Sequence, residues 1–157
     1  IEYGLESTSE QTLMAINRGH TMAQAGAMIR KTADCGLKTG IHLIFGLPGE
    51  TRQEMLGRAG IISALPLTTV KFHQLQIVKG TKMALQYRDQ PGIFSLFSLE
   101  EYISFIVSFI ERLNPAFVIE RFTGEVPPRY LESQPWSNLR ADQVAVMIDE
   151  EIGRAHV

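Results

Sequence analysis

The sequence is poor in cysteine, and this limits the chemistry that it can support. Cys35 is the single cysteine among 157 residues, so the chain cannot close an internal disulfide. One thiol also cannot supply the cysteine ligands of an iron–sulfur site. Because a lone cysteine usually behaves as a small buried hydrophobic side chain, we expect Cys35 in the core. A chain without disulfides fits a reducing compartment, and we predict a cytoplasmic protein.

Several other features are missing. No apolar run approaches the roughly 20 residues that span a bilayer, and no signal peptide opens the chain. The net charge of −2 gives no electrostatic evidence for a nucleic acid or an anionic membrane as partner. The histidines lack the spacing of a ligand set, so we predict no metal site; they are His20, His42, His73 and His156. A composition of 45% hydrophobic and 20% charged residues remains, which is typical of a globular domain.

Strand-like and helix-like segments alternate along the chain. Apolar-rich runs predict β-strands at residues 1–5, 38–45, 70–78 and 116–122. Capping-box patterns predict helix starts at Thr8-x-x-Gln11, Thr51-x-x-Glu54 and Ser98-x-x-Glu101. A last helix is predicted near residues 139–152, whereas residues 85–97 show the least regular pattern.

This alternation predicts an α/β fold in which a parallel sheet carries its helices outside. Three or four strand–helix units amount to about half of a (β/α) barrel. We therefore predict the C-terminal part of a partial TIM-like barrel over residues 1–95, and a C-terminal extension packed on it over residues 96–157. Because Ile1 already stands inside a predicted strand, we expect a longer parent whose N-terminal half completes the barrel.

Three short segments fall at the carboxyl ends of predicted strands, where parallel α/β folds bind ligands. They are 4–7, 46–50 and 74–76. In the second, Gly46 and Gly49 allow a close backbone approach to a ligand, and Pro48 stiffens the turn. The turn lacks the Lys-Ser/Thr pair of a phosphate-binding loop. The alternative interpretation is a tight strand-to-helix turn without a ligand.

Four motifs follow one another in a specific order: YGLES, TLMAINRGHT, HLIFGLPGET and KFHQLQIVKGT. Together they resemble the second half of a radical S-adenosylmethionine (SAM) enzyme barrel. The resemblance is to a bacterial branch of oxidoreductase-like proteins related to oxygen-independent coproporphyrinogen oxidases and elongator-type enzymes. It continues through LEEYISFIVSFIERLNP and VIERFTGEVPP. It implies a parent in which a [4Fe–4S] cluster cleaves SAM and the resulting radical abstracts hydrogen from an unidentified substrate.

The resemblance also implies which residues position SAM. Glu6 is expected to contact the ribose or the amino-acid portion, and Arg18 is expected to pair with the SAM carboxylate. The latter role suits the bidentate fork of a guanidinium. The remaining implied positions flank the adenosine or meet the adenine through the backbone, and they are His42, Ile44, Gly46, Pro48, Gly49, Gln74 and Leu75.

Other candidate residues have two interpretations each. Lys71 and His73 share one face of their predicted strand; they meet substrate if that face lines the barrel, and ordinary interior polar residues are the alternative. Glu120 and Arg121 alternate faces, so at most one points inward, and we expect an ion pair with a helix. Trp136 is expected to be a packing anchor.

One departure from the family affects the whole interpretation. The three cluster cysteines of radical SAM enzymes precede the region that resembles this chain, so we expect the cluster ligands upstream of Ile1 and no activity from the fragment alone. The alternative is a non-catalytic α/β module that binds a nucleotide or a partner protein. Three cysteines at x3 and x2 spacing in the upstream coding sequence would favour the enzyme.

Overall fold

The computed structural model describes residues 1–133, 136 and 139–155, and it has an α/β fold. A single four-stranded sheet runs in the order β1-β2-β3-β4. All three neighbouring strand pairs are parallel. The strands are β1 (Glu2–Glu6), β2 (Gly40–Phe45), β3 (Thr69–Gln74) and β4 (Val118–Arg121). Consecutive strands joined through helices are the arrangement of a barrel segment, and the predicted fold class is confirmed.

Six α-helices connect or follow the strands in the part of the chain that the structure describes. They are α1 (Glu10–Ala15), α2 (Met22–Asp34), α3 (Arg52–Ser63), α4 (Lys82–Asp89), α5 (Leu99–Ile110) and α6 (Ala141–Ala155). The capping boxes predicted at the starts of α3 and α5 are both present. Within the described residues, no helix is both long and apolar enough to cross a bilayer.

Three sequence predictions about local structure were wrong. The first helix is capped by Ser9 instead of Thr8, because the Ser9 side chain accepts from the Thr12 amide at 3.2 Å. β3 ends at Gln74 and not at Val78. Residues 85–89 of the segment predicted to be the least regular belong to α4, a largely polar helix that buries only Ala84 and so has little apolar periodicity to reveal it.

Cys35 is exposed, contrary to the prediction that it is buried. It lies one residue beyond α2, and its amide closes the last turn of that helix. Its position at a helix end, where the chain turns at Gly36 with φ 75°, keeps the thiol out of the apolar stripe of α2. The exposure of Cys35 therefore follows from its position beyond the end of α2, which its residue type does not reveal.

One face of the sheet forms the hydrophobic core with α2, α3, α5 and α6. Alternate residues of β2 and β3 supply it, and Phe45 and Phe72 are fully buried there. The predicted stripe of α5 packs on them: the ring centres of Phe45 and Phe105 lie 4.9 Å apart in an edge-to-face contact. Helices on both sides of residue 95 share this core, and the division at residues 95 and 96 stays a prediction.

Trp136 packs against α5. Its ring centre lies 4.8 Å from that of Tyr102, and its Nε1–H donates to the Phe97 carbonyl at 3.0 Å. The prediction of a packing anchor is confirmed.

Candidate functional site

The other face of the sheet is polar. This polar face carries Glu2, Gly4, His42, Lys71, His73 and Glu120, which alternate along the strands with the core residues. Lys71 forms ion pairs with Glu2 and, at 3.1 Å, with Glu120. His42 Nε2 lies 2.8 Å from Glu2 Oε2. Ionisable side chains of all four strands therefore contact one another. The prediction that Glu120 pairs with a helix was wrong, because its partner Lys71 lies on β3.

Glu2 can reach across β2 because Gly40 has no side chain. A Cβ on Gly40 would lie 3.4 Å from Glu2 Cγ and in contact with Thr69 Oγ1. Hydrogen bonds from Lys71 and His42 lower the pKa of Glu2 to about 2. Glu2 is therefore a carboxylate at neutral pH, and it holds Lys71 and His42 in place on the polar face.

Glu6 and Arg18 meet at the carboxyl end of β1. Arg18, from the segment between α1 and α2, donates from Nε and Nη2 to the Gly4 carbonyl at 3.1 and 2.6 Å. Its Nη2 lies 3.5 Å from Glu6 Oε1. A Cβ on Gly4 would lie 2.8 Å from Glu6 Oε1 and against the guanidinium. Gly4 therefore provides the space in which this ion pair forms.

The backbone of Glu6 is in the left-handed region, with φ 65°. This conformation is rare for a residue with a side chain, and it persists where the surroundings hold it. Burial raises the pKa of Glu6, and the positive charges of Arg18, His42 and His20 oppose that shift. The structure thus brings together Glu6, Arg18 and His42, which are predicted to act on the same ligand.

A carboxylate and a guanidinium side by side can bind a small zwitterion. The carboxylate accepts hydrogen bonds from an ammonium group, and the guanidinium donates to a carboxylate. The Arg18 side chain is 39% exposed, which leaves its outer edge open to a ligand, whereas that of Glu6 is 16% exposed. The pair therefore fits the amino-acid end of a molecule such as SAM.

The turn after β2 needs both of its glycines. Gly46 and Gly49 have φ 98° and 82°, which side-chain-bearing residues rarely adopt. The Ser95 carbonyl oxygen would lie 3.0 Å from a Cβ on Gly46, and the Gly49 amide donates to the Ile93 carbonyl at 2.8 Å. Pro48 is buried and forms an isolated bridge with the same segment. The chain itself thus makes the close approach at Gly46, and a ligand role for this turn stays a prediction.

A buried ion pair behind the turn was missed by sequence reasoning. Glu50 and Arg58 are 4% and 2% exposed and pair with each other. Ser7 Oγ donates to Glu50 Oε1 at 2.7 Å, and Arg58 Nη1 donates to the Ile44 carbonyl at 3.3 Å. Burial lowers the pKa of Arg58, and the Glu50 charge opposes this. The pair ties the ends of β1 and β2 to α3 and so fixes the edge where Glu6 lies.

The sequence did contain a signal for this pair. Arg58 stands among Met55, Ala59 and Ile62, at the spacing of the buried stripe of α3. A charged residue on a buried helical stripe is almost never left unpaired. A search for the missing carboxylate among the residues of the nearby turn would have found Glu50.

His73 is a neutral imidazole on the polar face. Burial, and then the positive charges of His42, Arg121 and Lys71, lower the pKa of His73 to about 4. Its ring stacks on that of His42 with centres 5.6 Å apart. Its Nε2 is buried and has no hydrogen-bond partner among the described residues. The two predicted substrate-facing residues therefore differ in their contacts. Lys71 forms ion pairs with Glu2 and Glu120, whereas His73 Nε2 has no hydrogen-bond partner among the described residues.

The remaining predicted positions are held by the protein itself. The Gln74 side chain bonds twice to the backbone of Gly124, accepting at 3.0 Å and donating at 3.3 Å. The Leu75 amide donates to the Phe45 carbonyl at 2.8 Å. Ile44 packs against a second apolar cluster that contains Leu75. These contacts explain the residues structurally and leave their predicted roles at the adenosine untested.

An iron–sulfur cluster does not fit the side chains of this chain. In the part of the chain that the structure describes, no group of three or more His, Cys, Asp or Glu side chains is arranged to hold a metal ion. A [4Fe–4S] cluster needs several thiolates, and the chain has one cysteine. The site described above is therefore a candidate for binding an organic zwitterion. His156 lies outside the described residues, and the absence of a metal site stays a prediction.

Comparison with known proteins defines the class. Residues 67–153 match the radical SAM C-terminal domain family, and the chain belongs to that family. This confirms the resemblance that the motifs indicate.

Particular relatives extend the similarity beyond the matched residues. The chain is 35% identical over 138 residues to the uncharacterized protein MJ0486 of Methanocaldococcus jannaschii, covering 86% of this chain and 41% of the relative. It is 30% identical over 137 residues to the uncharacterized protein YtqA of Bacillus subtilis, covering 87% and 42%. Protein YhcC of Escherichia coli is 31% identical over 140 residues, covering 89% and 45%. The chain thus spans less than half the length of these relatives.

The fold is also that of a solved structure. Elp3 of the archaeon Methanocaldococcus infernus, with residues 1–46 deleted, superposes with a TM-score of 0.80 at 18% identity. The match covers 99% of this chain and 36% of the Elp3 chain. At this identity the likeness establishes a shared fold.

Proposed function

We propose that this chain is the SAM-positioning part of a radical SAM enzyme. The observation that carries the proposal is the Glu6–Arg18 pair, which lies beside His42 at the carboxyl edge of the sheet in a member of this family. Parallel α/β folds bind their ligands at this edge. The edge offers a carboxylate and a guanidinium at a spacing that suits one small zwitterion.

Each residue has a role in this proposal that follows from its chemistry. Arg18 binds the SAM carboxylate, and Glu6 accepts from the ammonium group of the same amino-acid end. Glu6 must be ionised for this role; burial raises the pKa of Glu6 and so opposes ionisation, whereas the nearby positive charges favour the ionised form. His42 donates to or accepts from a ribose hydroxyl through a ring nitrogen.

The adenosine end would lie beside the turn after β2. In the proposal Ile44 and the 46–49 turn flank the adenosine, and backbone groups at Gln74 and Leu75 meet the adenine. Lys71 and His73 line the interior toward the substrate, whose class is open. The Glu50–Arg58 pair holds β1, β2 and α3 in register, so that the two ends of SAM are bound at a fixed distance.

The cluster belongs to another part of the parent in this proposal. Cysteines of that part would hold a [4Fe–4S] cluster, which would supply the electron for reductive cleavage of SAM. Because this chain has no cluster ligands, we expect it to be inactive by itself. The chain contributes binding and orientation.

The experiment uses the full-length parent, reconstituted anaerobically with iron and sulfide and given dithionite and SAM. We expect 5′-deoxyadenosine to form, and to be lost when the upstream cysteines are replaced by alanine. Cys35→Ala is the matched control and should leave product formation unchanged, because the Cys35 thiol is exposed beyond α2. A folded parent that binds no cluster and forms no product would contradict the proposal and favour a non-catalytic binding module.

A further inference from the structure

A cavity separate from the Glu6–Arg18 pair lies between the sheet and α6. It has a volume of about 540 Å³ and is lined by Gln74 and Gln76 at and after the end of β3, by residues of the segment 123–131, by Trp136, and by residues 139–144 at the start of α6. Pockets for small molecules are commonly about 300–1,000 Å³. The cavity is therefore large enough for a molecule of two or more rings.

The wall of this cavity is held in place by hydrogen bonds. The Gln74 amide fixes Gly124 by bonding to its backbone N–H and carbonyl. Glu125 accepts from the backbone amide of Ala141, the first residue of α6. Because these bonds connect the sheet, the 123–131 segment and α6, the cavity keeps its shape without a ligand.

The charges around the cavity are already engaged. Arg140 donates to both carboxylate oxygens of Asp142, at 3.0 and 2.7 Å. The Glu125 carboxylate is bonded at the start of α6. The Trp136 N–H is also used, so Trp136 offers the cavity apolar surface. Arg140 is thus paired with Asp142 and Glu125 forms no ion pair with the described residues, so an anion entering the cavity would meet a negative charge, find no free positive one among the described lining residues and lose its hydration.

Gln76 is a lining residue whose polar side chain is available to hydrogen-bond to a ligand. It is half-buried, lines the cavity, and its side chain makes no hydrogen bond with any described residue. A primary amide both donates and accepts, and it therefore suits an uncharged partner with an amide or hydroxyl group. Thr123 also lines the cavity, and its hydroxyl is buried without a hydrogen-bond partner among the described residues, so Gln76 offers the more accessible polar group.

We propose that this cavity binds an uncharged small molecule in which an apolar ring carries an amide-like or hydroxyl group. Gln76 hydrogen-bonds to the polar group, and Trp136 and Val144 contact the ring. The cavity shares Gln74 with the proposed adenosine end, but this inference does not rest on the SAM-positioning role and can be tested on this chain without a cluster.

The test compares three probes of nearly equal size by nitrogen–proton NMR of the labelled chain. They are 2-naphthamide, 2-naphthoate and 2-ethylnaphthalene. We expect saturable shifts at the Gly124 and Ala141 amides and at the Trp136 indole. The amide should bind about 3- to 10-fold more tightly than the hydrocarbon, which is the worth of one net hydrogen bond, and the anion should bind most weakly.

The variant Gln76→Met removes the hydrogen bond and keeps the length of the side chain. It should abolish the difference between the amide and the hydrocarbon. Gln86→Met, at a half-buried position of α4 outside the cavity, is the matched control and should preserve the difference. The inference is overturned if the probes cause no saturable shifts at the cavity, if the anion binds best, or if Gln76→Met keeps the preference for the amide. The three-probe comparison on the unaltered chain decides the matter even if a variant does not fold.

Discussion

The two faces of one sheet differ in how they use neighbouring residues. In β2, Phe45 is fully buried against aromatic rings of α5, whereas His42, three positions earlier, is half-buried and bonded to Glu2. In β3, Phe72 and Lys71 show the same division. The core face stabilises the fold through burial, and the polar face orders charged groups that contribute little to stability.

Glycines show the same contrast. At Gly4, Gly40 and Gly124, on or beside the polar face, the space that a Cβ would occupy is filled by polar side chains of neighbouring residues. At Gly57 and Gly60, in the middle of α3, nothing lies within 4 Å of that position. The first set creates room for a site, and the second set has no packing role.

The largest expected effect is on the core face. Phe45→Ala should lower the free energy of unfolding by about 3–5 kcal/mol, because it removes a fully buried ring and leaves a cavity. His73→Ala, on the polar face, should cost less than about 1.5 kcal/mol, since its ring is only half-buried. Urea denaturation of this chain measures both. Equal losses would contradict the view that the core face contributes more to stability than the polar face does.

Breaking the buried ion pair comes next. Arg58→Met should destabilise the chain by about 3 kcal/mol, because Glu50 would remain as an uncompensated buried charge. The double variant Glu50→Gln with Arg58→Met should cost clearly less than the sum of the two single changes. Additive losses in the same denaturation experiment would show that the two side chains are not coupled.

The glycine contrast predicts opposite signs. Gly40→Ala should destabilise the chain by about 1–3 kcal/mol, because the new methyl group collides with Thr69 and Glu2. Gly57→Ala should stabilise it by about 0.5–1 kcal/mol, because alanine favours an exposed helix interior. Thermal unfolding of both variants tests the signs. Stabilisation by Gly40→Ala would refute the view that Gly40 makes room for Glu2.

The smallest expected effect is a dependence of stability on pH. The pKa of His73 falls from 6.5 to about 4 on folding, so the unfolded chain binds a proton more readily. The stabilisation from a neutral His73 is thus complete above pH 6.5 and is lost as the pH falls from 6.5 to about 4. Glu2, whose pKa falls from 4.5 to about 2, acts in the lower window between those values.

Substitution separates these two windows. His73→Gln should flatten the decline of stability between pH 6.5 and 4, and should leave the decline below pH 4.5 that Glu2 causes. Denaturation across this pH range, with proton NMR titration of the His73 ring, provides the measurement. A His73 that titrates near 6.5 in the folded chain would contradict the shift.

Sequence rules correctly predicted the structural features that depend on residues close together in the chain. The α3 capping box depends on residues three positions apart, and the α5 stripe depends on helical spacing; both were confirmed. The tight turn after β2 was also predicted from Gly46, Pro48 and Gly49, and both glycines have positive φ there. The family was predicted correctly as well, because each of its motifs is a short continuous run of residues and the order of the runs is specific.

Features that depend on distant residues escaped sequence reasoning. The contact between Glu2 and Lys71 crosses an intervening strand and depends on Gly40, so no spacing along the chain reveals it. The exposure of Cys35 depends on where α2 ends. The family resemblance predicted that Glu6 and Arg18 act on the same ligand. The role of Gly4, which leaves space for their ion pair, became visible only in the structure.

The most direct test of the account is the affinity of the cluster-loaded, full-length parent for SAM, measured calorimetrically with Arg18→Ala. Arg30→Ala is the control, because Arg30 is exposed on α2 and forms no ion pair with the described residues. We predict that Arg18→Ala weakens SAM binding by about 1.5–3 kcal/mol, roughly ten- to a hundredfold, and that Arg30→Ala leaves it unchanged. Unchanged affinity in Arg18→Ala would remove the Glu6–Arg18 pair from the SAM site and contradict the account.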